Sequence, residues 1–119
     1  MKSSYSFGKD ERLCGKRDIQ ELFQKGSSFY LYPFKIIWME DQGDQSQVLI
    51  SVSKRLFKKA ADRNRLKRQI REGYRLNKSV RQAGPALRIG LVYTSNELLP
   101  SDRIHNSIQK ILSRLPLNP

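Results

Sequence analysis

The sequence predicts an α+β sandwich, in which one mixed, roughly four-stranded sheet is packed by helices in the order αβββαβα. Three observations support this fold class. Helical and strand-like apolar patterns alternate along the chain, the strand-like segments are short, and hydrophobic residues, at 38%, suffice for one modest core. The length of 119 residues fits one domain, so we predict a single domain over residues 1–119.

The first elements are a short helix and two strands. The segment KRDIQELFQKG, residues 16–26, has apolar residues at helical spacing, and Gly26 suits the end of that helix. The aromatic and β-branched segment 27–40 follows, and Pro33 divides it into a short strand and a longer one, Phe34–Glu40.

The middle of the chain holds a third strand and the longest helix. Residues 41–46, DQGDQS, form a turn into the strand QVLISVS, residues 47–53. We therefore predict a hairpin between this strand and Phe34–Glu40. A basic connection then leads into a helix over roughly 61–82, which the Gly-Pro pair at 84–85 ends.

The last two elements are a strand and a helix. LRIGLVYTS, residues 87–95, has the continuous apolar pattern of a buried strand. Ser101 is predicted to cap the final helix. The apolar stripe of that helix consists of Ile104, Ile108, Ile111, Leu112 and Leu115.

Positive charge is concentrated in one stretch of the chain. The whole chain carries a net charge of +12. Residues 54–75 contain ten Lys and Arg residues and two acidic ones, a net charge of +8, so two thirds of the excess lies in less than a fifth of the chain. A field of this kind attracts polyanions, either nucleic acid or an anionic membrane surface.

The long helix separates an apolar face from a cationic one. At about 100° per residue, Leu66, Ile70 and Tyr74 form one apolar arc, and Asn64 lies within an adjoining arc of cations. Cations repeat at every fourth position over 63–75 and repel one another by about 0.2–0.5 kcal/mol per pair, which indicates an external polyanion. The planar guanidinium of arginine binds phosphate through two hydrogen bonds, which favours nucleic acid as the polyanion. A membrane-binding helix would instead present apolar residues to the lipid, and here the apolar arc is needed for the core.

The segment SVSKRLFKKAADRNRLKRQIREGYR, residues 51–75, resembles the signature segment of the protein subunit of bacterial ribonuclease P. The order of elements and the segment FQKGSSF, residues 23–29, agree with that family. The resemblance implies a left-handed crossover into the basic helix, against the general right-handed rule. The matching residues are Ser51, Val52, Ser53, Lys54, Arg63, Asn64, Arg65, Lys67, Arg68 and Arg71.

What the resemblance implies is a ribonucleoprotein that removes the 5′ leader from precursor tRNA. The RNA subunit would perform the hydrolysis with bound Mg²⁺, without a catalytic protein side chain. The expected partners are the catalytic RNA and precursor tRNA, with no small-molecule substrate. The residues expected to bind the catalytic RNA are Lys54, Arg55, Lys58, Lys59, Arg63, Asn64, Arg65, Lys67, Arg68, Arg71 and Arg75.

In the family, the sheet face beside the first helix forms a cleft for the single-stranded leader. Single strands bind by stacking on aromatic rings beside a positive channel. Ile19 and Ile37 stand where relatives place aromatic residues, so base stacking is expected to be weak at these two positions. The residues expected in the cleft are Phe23, Phe34, Lys35, Ile19 and Ile37.

The sequence has no recognisable motif for protein-based catalysis or metal binding. His105, the only histidine, is expected to be a surface residue. Cys14, the only cysteine, cannot form an internal disulfide, so a reducing cytoplasm is expected. No apolar run approaches the roughly 20 residues that a membrane span needs.

Two other functions fit the basic helix. A ribosomal or architectural RNA-binding protein would use the same helix without a leader cleft. A DNA-binding regulator could insert the helix into a major groove, but a strand and not a helix-turn-helix precedes it.

Overall fold

The computed structural model describes residues 12–41, 43, 45–80 and 85–115. Within these residues, helices and strands follow one another in the predicted order. Their bounds are α1 Lys16–Lys25, β1 Ser27–Leu31, β2 Phe34–Glu40, β3 Gln47–Ser51, α2 Ala60–Asn77, β4 Leu87–Tyr93 and α3 Ser101–Arg114, with a 3₁₀ turn, Lys78–Val80, after α2.

The four strands form one mixed sheet in the order β1-β2-β4-β3. β2 pairs antiparallel with β1 and with β4, and β3 runs parallel to β4. The predicted hairpin between the second and third strands is therefore wrong, because β4 lies between them. β4 is buried along most of its length, and a strand of that kind needs a hydrogen-bonded neighbour on each side.

The main core lies between one sheet face and the helices α2 and α3. Alternate residues of β2 and β4, such as Phe34, Ile36 and Ile89, point into it and are fully buried. The predicted stripe of α3 is confirmed, since all five of its members are buried. The fold class expected from the sequence is thus confirmed.

The opposite sheet face carries α1 and a smaller apolar cluster. Leu22 is fully buried there against Ile37, and Leu13 belongs to the same cluster. Gly26 ends α1 as predicted, and its backbone N–H donates to the Leu22 carbonyl at 2.8 Å. A Cβ at Gly26 would lie 2.5 Å from that carbonyl oxygen and 2.8 Å from Cγ2 of Ile37, so only glycine fits.

The ends of two helices differ from the sequence-based expectation. α2 ends at Asn77 instead of Gln82, and the Asn77 amide donates to the Gly73 carbonyl at 2.8 Å. Residues 81–84 lie outside the described residues. The prediction that Ser101 caps α3 is wrong, because Pro100 occupies the cap position. The Ser101 hydroxyl instead accepts a 2.7 Å hydrogen bond from the side chain of Gln69 on α2.

The helices α2 and α3 lie close together at Gly73. A Cβ there would lie 2.7 Å from Cδ1 of Ile108 and 2.9 Å from Cδ2 of His105. His105, which was expected to be a surface residue, is half-buried, with Nε2 3.1 Å from the Gln69 carbonyl oxygen. Its ring is part of the helix contact.

Candidate nucleic-acid interface

Helix α2 directs its apolar residues into the core, and its cations lie on the adjoining face of the helix. Leu66 and Ile70 are fully buried, and Tyr74 is nearly so, as their spacing predicts. Asn64 lies on the exposed side, within the cationic arc. Among the cations of the first three turns, Arg65 and Arg68 are exposed, and Arg63, Lys67 and Arg71 are half-buried.

The segment that connects β3 to α2 is anchored in the core and is hydrogen-bonded to α2. Phe57 is buried, whereas Lys58 is exposed. Nη1 of Arg63 donates to the carbonyl oxygens of Phe57 and Lys58 at 2.8 and 3.0 Å. In addition, Ser53 Oγ accepts a 3.0 Å hydrogen bond from the Arg55 amide. These bonds fix the exposed cations of the connection next to those of the helix.

Connection and helix together form what we call the basic surface. Its members are the residues expected to bind catalytic RNA, except Arg75: Lys54, Arg55, Lys58, Lys59, Arg63, Asn64, Arg65, Lys67, Arg68 and Arg71. Within the described part of the chain, no carboxylate lies within 4.0 Å of any of these cations. The positive field of this surface is therefore not neutralised internally.

Arg75 differs from the other predicted cations because it has an internal carboxylate partner. Its guanidinium donates from Nε to Glu72 at 3.1 Å and makes a second, shorter contact from Nη2. The hydrogen bond from Arg75 lowers the pKa of Glu72, and the same bond raises the pKa of Arg75. The i,i+3 spacing of Glu72 and Arg75 in the sequence permits this pair, and the expectation that Arg75 binds the catalytic RNA stays a prediction.

A groove of about 240 Å³ lies where the basic surface meets the edge of the sheet. Leu13 anchors the N-terminal segment to β3 through a 3.0 Å hydrogen bond from its amide to the Val48 carbonyl. This docking brings Arg12 to the groove that Lys67 and Arg71 also line. Sequence reasoning missed Arg12, because a single bridge to a distant strand leaves no local pattern.

The sheet face beside α1 contains the residues expected to form a leader cleft. Phe23 on α1 is exposed over 48% of its surface, and Lys35 on β2 is exposed as well. Ile19 is half-buried in the small cluster under α1, and Ile37 is buried there. The two isoleucines thus hold α1 on the sheet, and they leave Phe23 and Lys35 accessible.

Phe34 is not part of that cleft. It lies on the opposite sheet face, fully buried, with its ring edge-on to Tyr93 at a centroid distance of 5.7 Å. Because successive strand residues point to opposite faces, Phe34 and Lys35 cannot share one. The prediction that Phe34 lines the cleft is wrong.

No side-chain cluster of the metal-binding type occurs in residues 12–41, 43, 45–80 and 85–115: nowhere do three or more His, Cys, Asp or Glu side chains gather to hold an ion. None of the described helices is long and apolar enough to cross a membrane.

The fold and the basic surface define a class of protein, a small α+β domain with a cationic helix face of the kind typical of nucleic-acid-binding proteins. The family model described as Ribonuclease P matches residues 7–116. A curated relative, the ribonuclease P protein component of Porphyromonas gingivalis, is 34% identical over 128 residues, which cover 99% of this chain and 93% of that protein. The chain therefore belongs to the ribonuclease P protein family.

Solved structures agree with this assignment. The ribonuclease P protein from Thermotoga maritima superposes with a TM-score of 0.77 at 26% identity, over 88% of this chain and 97% of that one. The ribonuclease P protein from Staphylococcus aureus gives a TM-score of 0.76 at 28% identity, over 90% and 96% of the two chains.

Proposed function

We propose that this chain is the protein component of a ribonuclease P holoenzyme, binding the catalytic RNA and assisting removal of the 5′ leader from precursor tRNA. One observation carries the proposal. In a member of this family, ten residues form a continuous basic surface whose cations have no carboxylate partner in the described residues. The closely spaced phosphates of a folded RNA would offset the mutual repulsion of these cations.

In this proposal the chemistry belongs to the RNA subunit. Mg²⁺ would be held by the RNA, because the described residues contain no cluster of carboxylates, histidines or cysteines suited to a metal. The protein contributes binding energy and position. Asn64 supplies a neutral donor and acceptor among the cations, which suits a 2′-hydroxyl or a base edge.

The sheet face beside α1 is proposed to hold the single-stranded leader. Phe23 on α1 and Lys35 on β2 are both exposed, and single strands bind by stacking on aromatic rings beside a positive channel. Helix α2 packs on one face of the sheet and α1 on the other, so this proposal assigns the two RNA molecules to separate surfaces.

The test is reconstitution. The purified chain alone should leave precursor tRNA intact, and the chain with a bacterial catalytic RNA at moderate Mg²⁺ should cleave it at the 5′ end of the mature sequence. Cleavage should exceed that of the RNA alone under the same conditions. Failure to stimulate several bacterial catalytic RNAs would overturn the proposal.

A pair of matched variants checks the basic surface in the same assay. Arg65→Gln with Arg68→Gln removes two exposed charges from α2, and Arg103→Gln with Arg114→Gln removes two exposed charges from α3. Only the α2 pair should weaken RNA binding and lower its salt slope by about two units. Equal losses from both pairs would mean that net charge alone, and not this surface, attracts the RNA.

A further inference from the structure

One row of side chains on the α1 side of the sheet is left uncovered by that helix. Strand register places Tyr30, Lys35, Val92 and Ser51 side by side across the four strands, and we call these four residues the open row. Tyr30 and Lys35 are exposed, and Val92 and Ser51 are half-buried.

The neighbouring rows are covered by α1. Leu22 packs over Ile37 and approaches Gly90 closely enough that a Cβ there would lie 3.4 Å from Cδ2 of Leu22. One row further, Arg88 is paired with Glu21 and with Asp18, both on α1. The helix therefore borders the open row without lying over it.

Tyr30 is the aromatic member of the open row, and 58% of its surface is exposed. Its hydroxyl lies 3.2 Å from Oγ1 of Thr94, which follows β4 directly. The Thr94 hydroxyl donates its single proton to the Pro33 carbonyl at 2.9 Å, so the Tyr30 hydroxyl must be the donor to Thr94.

This hydrogen bond fixes how the ring lies. Tyr30 is on β1 and Thr94 follows β4, and β2 runs between them. Since neighbouring strands are about 4.8 Å apart, the Tyr30 side chain must reach across β2, over about 10 Å, to make this bond. The ring therefore lies across β2, with more than half of the residue still exposed.

We propose that Tyr30 is a further base-stacking residue of this face, and that a base of single-stranded RNA lies on its exposed side with the adjacent phosphate near Lys35. The inference rests on the proposed function, in which that single strand is the 5′ leader. An exposed ring tethered by its hydroxyl gives a base a platform at little entropic cost, and the exposed ammonium of the residue paired with it on the next strand suits a phosphate.

The open row also has a direction. It runs from Tyr30 at one edge of the sheet to Ser51 at the end of β3, and the chain then turns into Lys54 of the basic surface. A strand laid along the row would pass from a stacking platform towards the cations that are proposed to contact the catalytic RNA. This arrangement favours RNA over an acidic peptide, because an acidic peptide has no aromatic base at each repeat to stack on the ring.

The experiment uses the reconstituted holoenzyme and two substrates, a precursor tRNA with an eight-nucleotide leader and the same tRNA without it. Tyr30→Ala should weaken binding of the leader-bearing substrate about tenfold and leave the leaderless one unchanged. Tyr30→Phe, which keeps the ring but not the hydrogen bond to Thr94, should retain most of the affinity. Tyr32→Ala is the matched control, because Tyr32 is 47% exposed but belongs to the turn outside the open row.

The outcomes separate the two proposals. If the wild-type holoenzyme cleaves and prefers the leader-bearing substrate while Tyr30→Ala binds it equally well, only the Tyr30 inference fails. Equal weakening of both substrates, or an equal loss from Tyr32→Ala, would likewise overturn it. If the wild-type chain assembles with no catalytic RNA, the proposed function fails first.

Discussion

Arg63 shows how one residue of the basic surface combines a structural contact with a charge. Its Nη1 donates to two carbonyls of the connection before α2, and a guanidinium has five N–H donors, so others remain for phosphate. Arg65, two positions later, is exposed and makes no such contact. The two arginines should therefore respond differently to the same substitution.

Arg63→Gln should lower both RNA affinity and stability, and Arg65→Gln should lower affinity alone. Each change removes one cation, so the salt slope of RNA binding should fall by about one unit in both. Loss of the bonds to the Phe57 and Lys58 carbonyls should cost Arg63→Gln about 1–2 kcal/mol of unfolding free energy. Salt titrations and urea unfolding measure the two effects. Equal stability of the two variants would show that the Arg63 bonds do not hold the connection.

Asn64→Ala is the neutral companion to these changes. It removes a hydrogen-bonding side chain and no charge, so RNA affinity should fall with the salt slope unchanged. If complex formation is as tight as with the wild-type chain, the role proposed for Asn64 fails.

At the scale of elements, periodicity was enough to predict the basic helix but not the cleft. On α2, buried and cationic residues differ in polarity, so the helical period alone separates Ile70 from Arg71. On β2, both alternating sets are largely apolar: Phe34, Ile36 and Trp38 on one face, Ile37 and Met39 on the other. Alternation nevertheless separates Phe34 from Lys35 and Ile37, and Phe34 was misplaced because the predicted cleft combined all three.

Strand order was also beyond local reasoning. Short spacing favoured a hairpin between β2 and β3, but β4, which is distant in sequence, pairs with both. The gain from burying an apolar strand between two neighbours outweighs the entropic advantage of a local hairpin. Tyr30 was not among the residues expected in the cleft, because its exposure depends on where α1 crosses the sheet.

The position of α1 depends on Arg88 as well as on Leu22. The Arg88 side chain is only 16% exposed, and it lies 2.6 Å from Glu21, 3.6 Å from Asp18 and 3.5 Å from Asp41. Two of these carboxylates are on α1, and the third directly follows β2. The guanidinium thus ties the helix that borders the open row to two strands of the sheet.

Arg88→Gln should loosen α1, because three carboxylates would then face one another without the guanidinium that joins them. We expect a loss of about 1–2 kcal/mol in unfolding free energy, allowing for solvent screening of the carboxylates, and faster amide exchange in α1. Lys25→Gln is the control, since Lys25 is exposed and lies 3.9 Å from Glu21. It should cost less than about 0.5 kcal/mol. Equal losses of unfolding free energy in the two variants would mean that the ion pairs of Arg88 contribute no more than an exposed surface pair.

For the molecule as a whole, the main core joins the elements that carry the two proposed RNA-binding faces. Tyr93 at the end of β4 lies where they meet, with ring centroids 5.7 Å from Phe34 and 6.0 Å from Phe57. Its hydroxyl donates to the Glu97 carbonyl at 2.7 Å and accepts a 3.4 Å hydrogen bond from the Leu99 amide. The sheet, the connection to α2 and the loop before α3 are thus held together at one phenol.

This phenol should limit the stability of the whole domain at high pH. Burial raises the pKa of Tyr93 above its value in the unfolded chain, about 10, and outweighs the hydrogen bond from Leu99, which lowers it. The protonated phenol makes its full contribution to stability at every pH below the pKa of the unfolded chain. Above it, the unfolded chain loses the proton first, so stability should fall by up to about 1.4 kcal/mol per pH unit until the folded pKa is passed.

Tyr93→Phe tests this, because it keeps the ring and removes the titrating group. The variant should be about 1 kcal/mol less stable than the wild type at pH 8, where it lacks both hydrogen bonds of the hydroxyl. The difference in unfolding free energy between the variant and the wild type should narrow from pH 10 to pH 11. The reason is that only the wild type loses stability through ionisation of this phenol. Urea unfolding at pH 8, 9, 10 and 11 gives the pH dependence of stability for the variant and for the wild type. The ionisable groups that both proteins contain affect the two curves equally and cancel in their difference. Parallel curves would mean that ionisation of Tyr93 does not limit stability in that range.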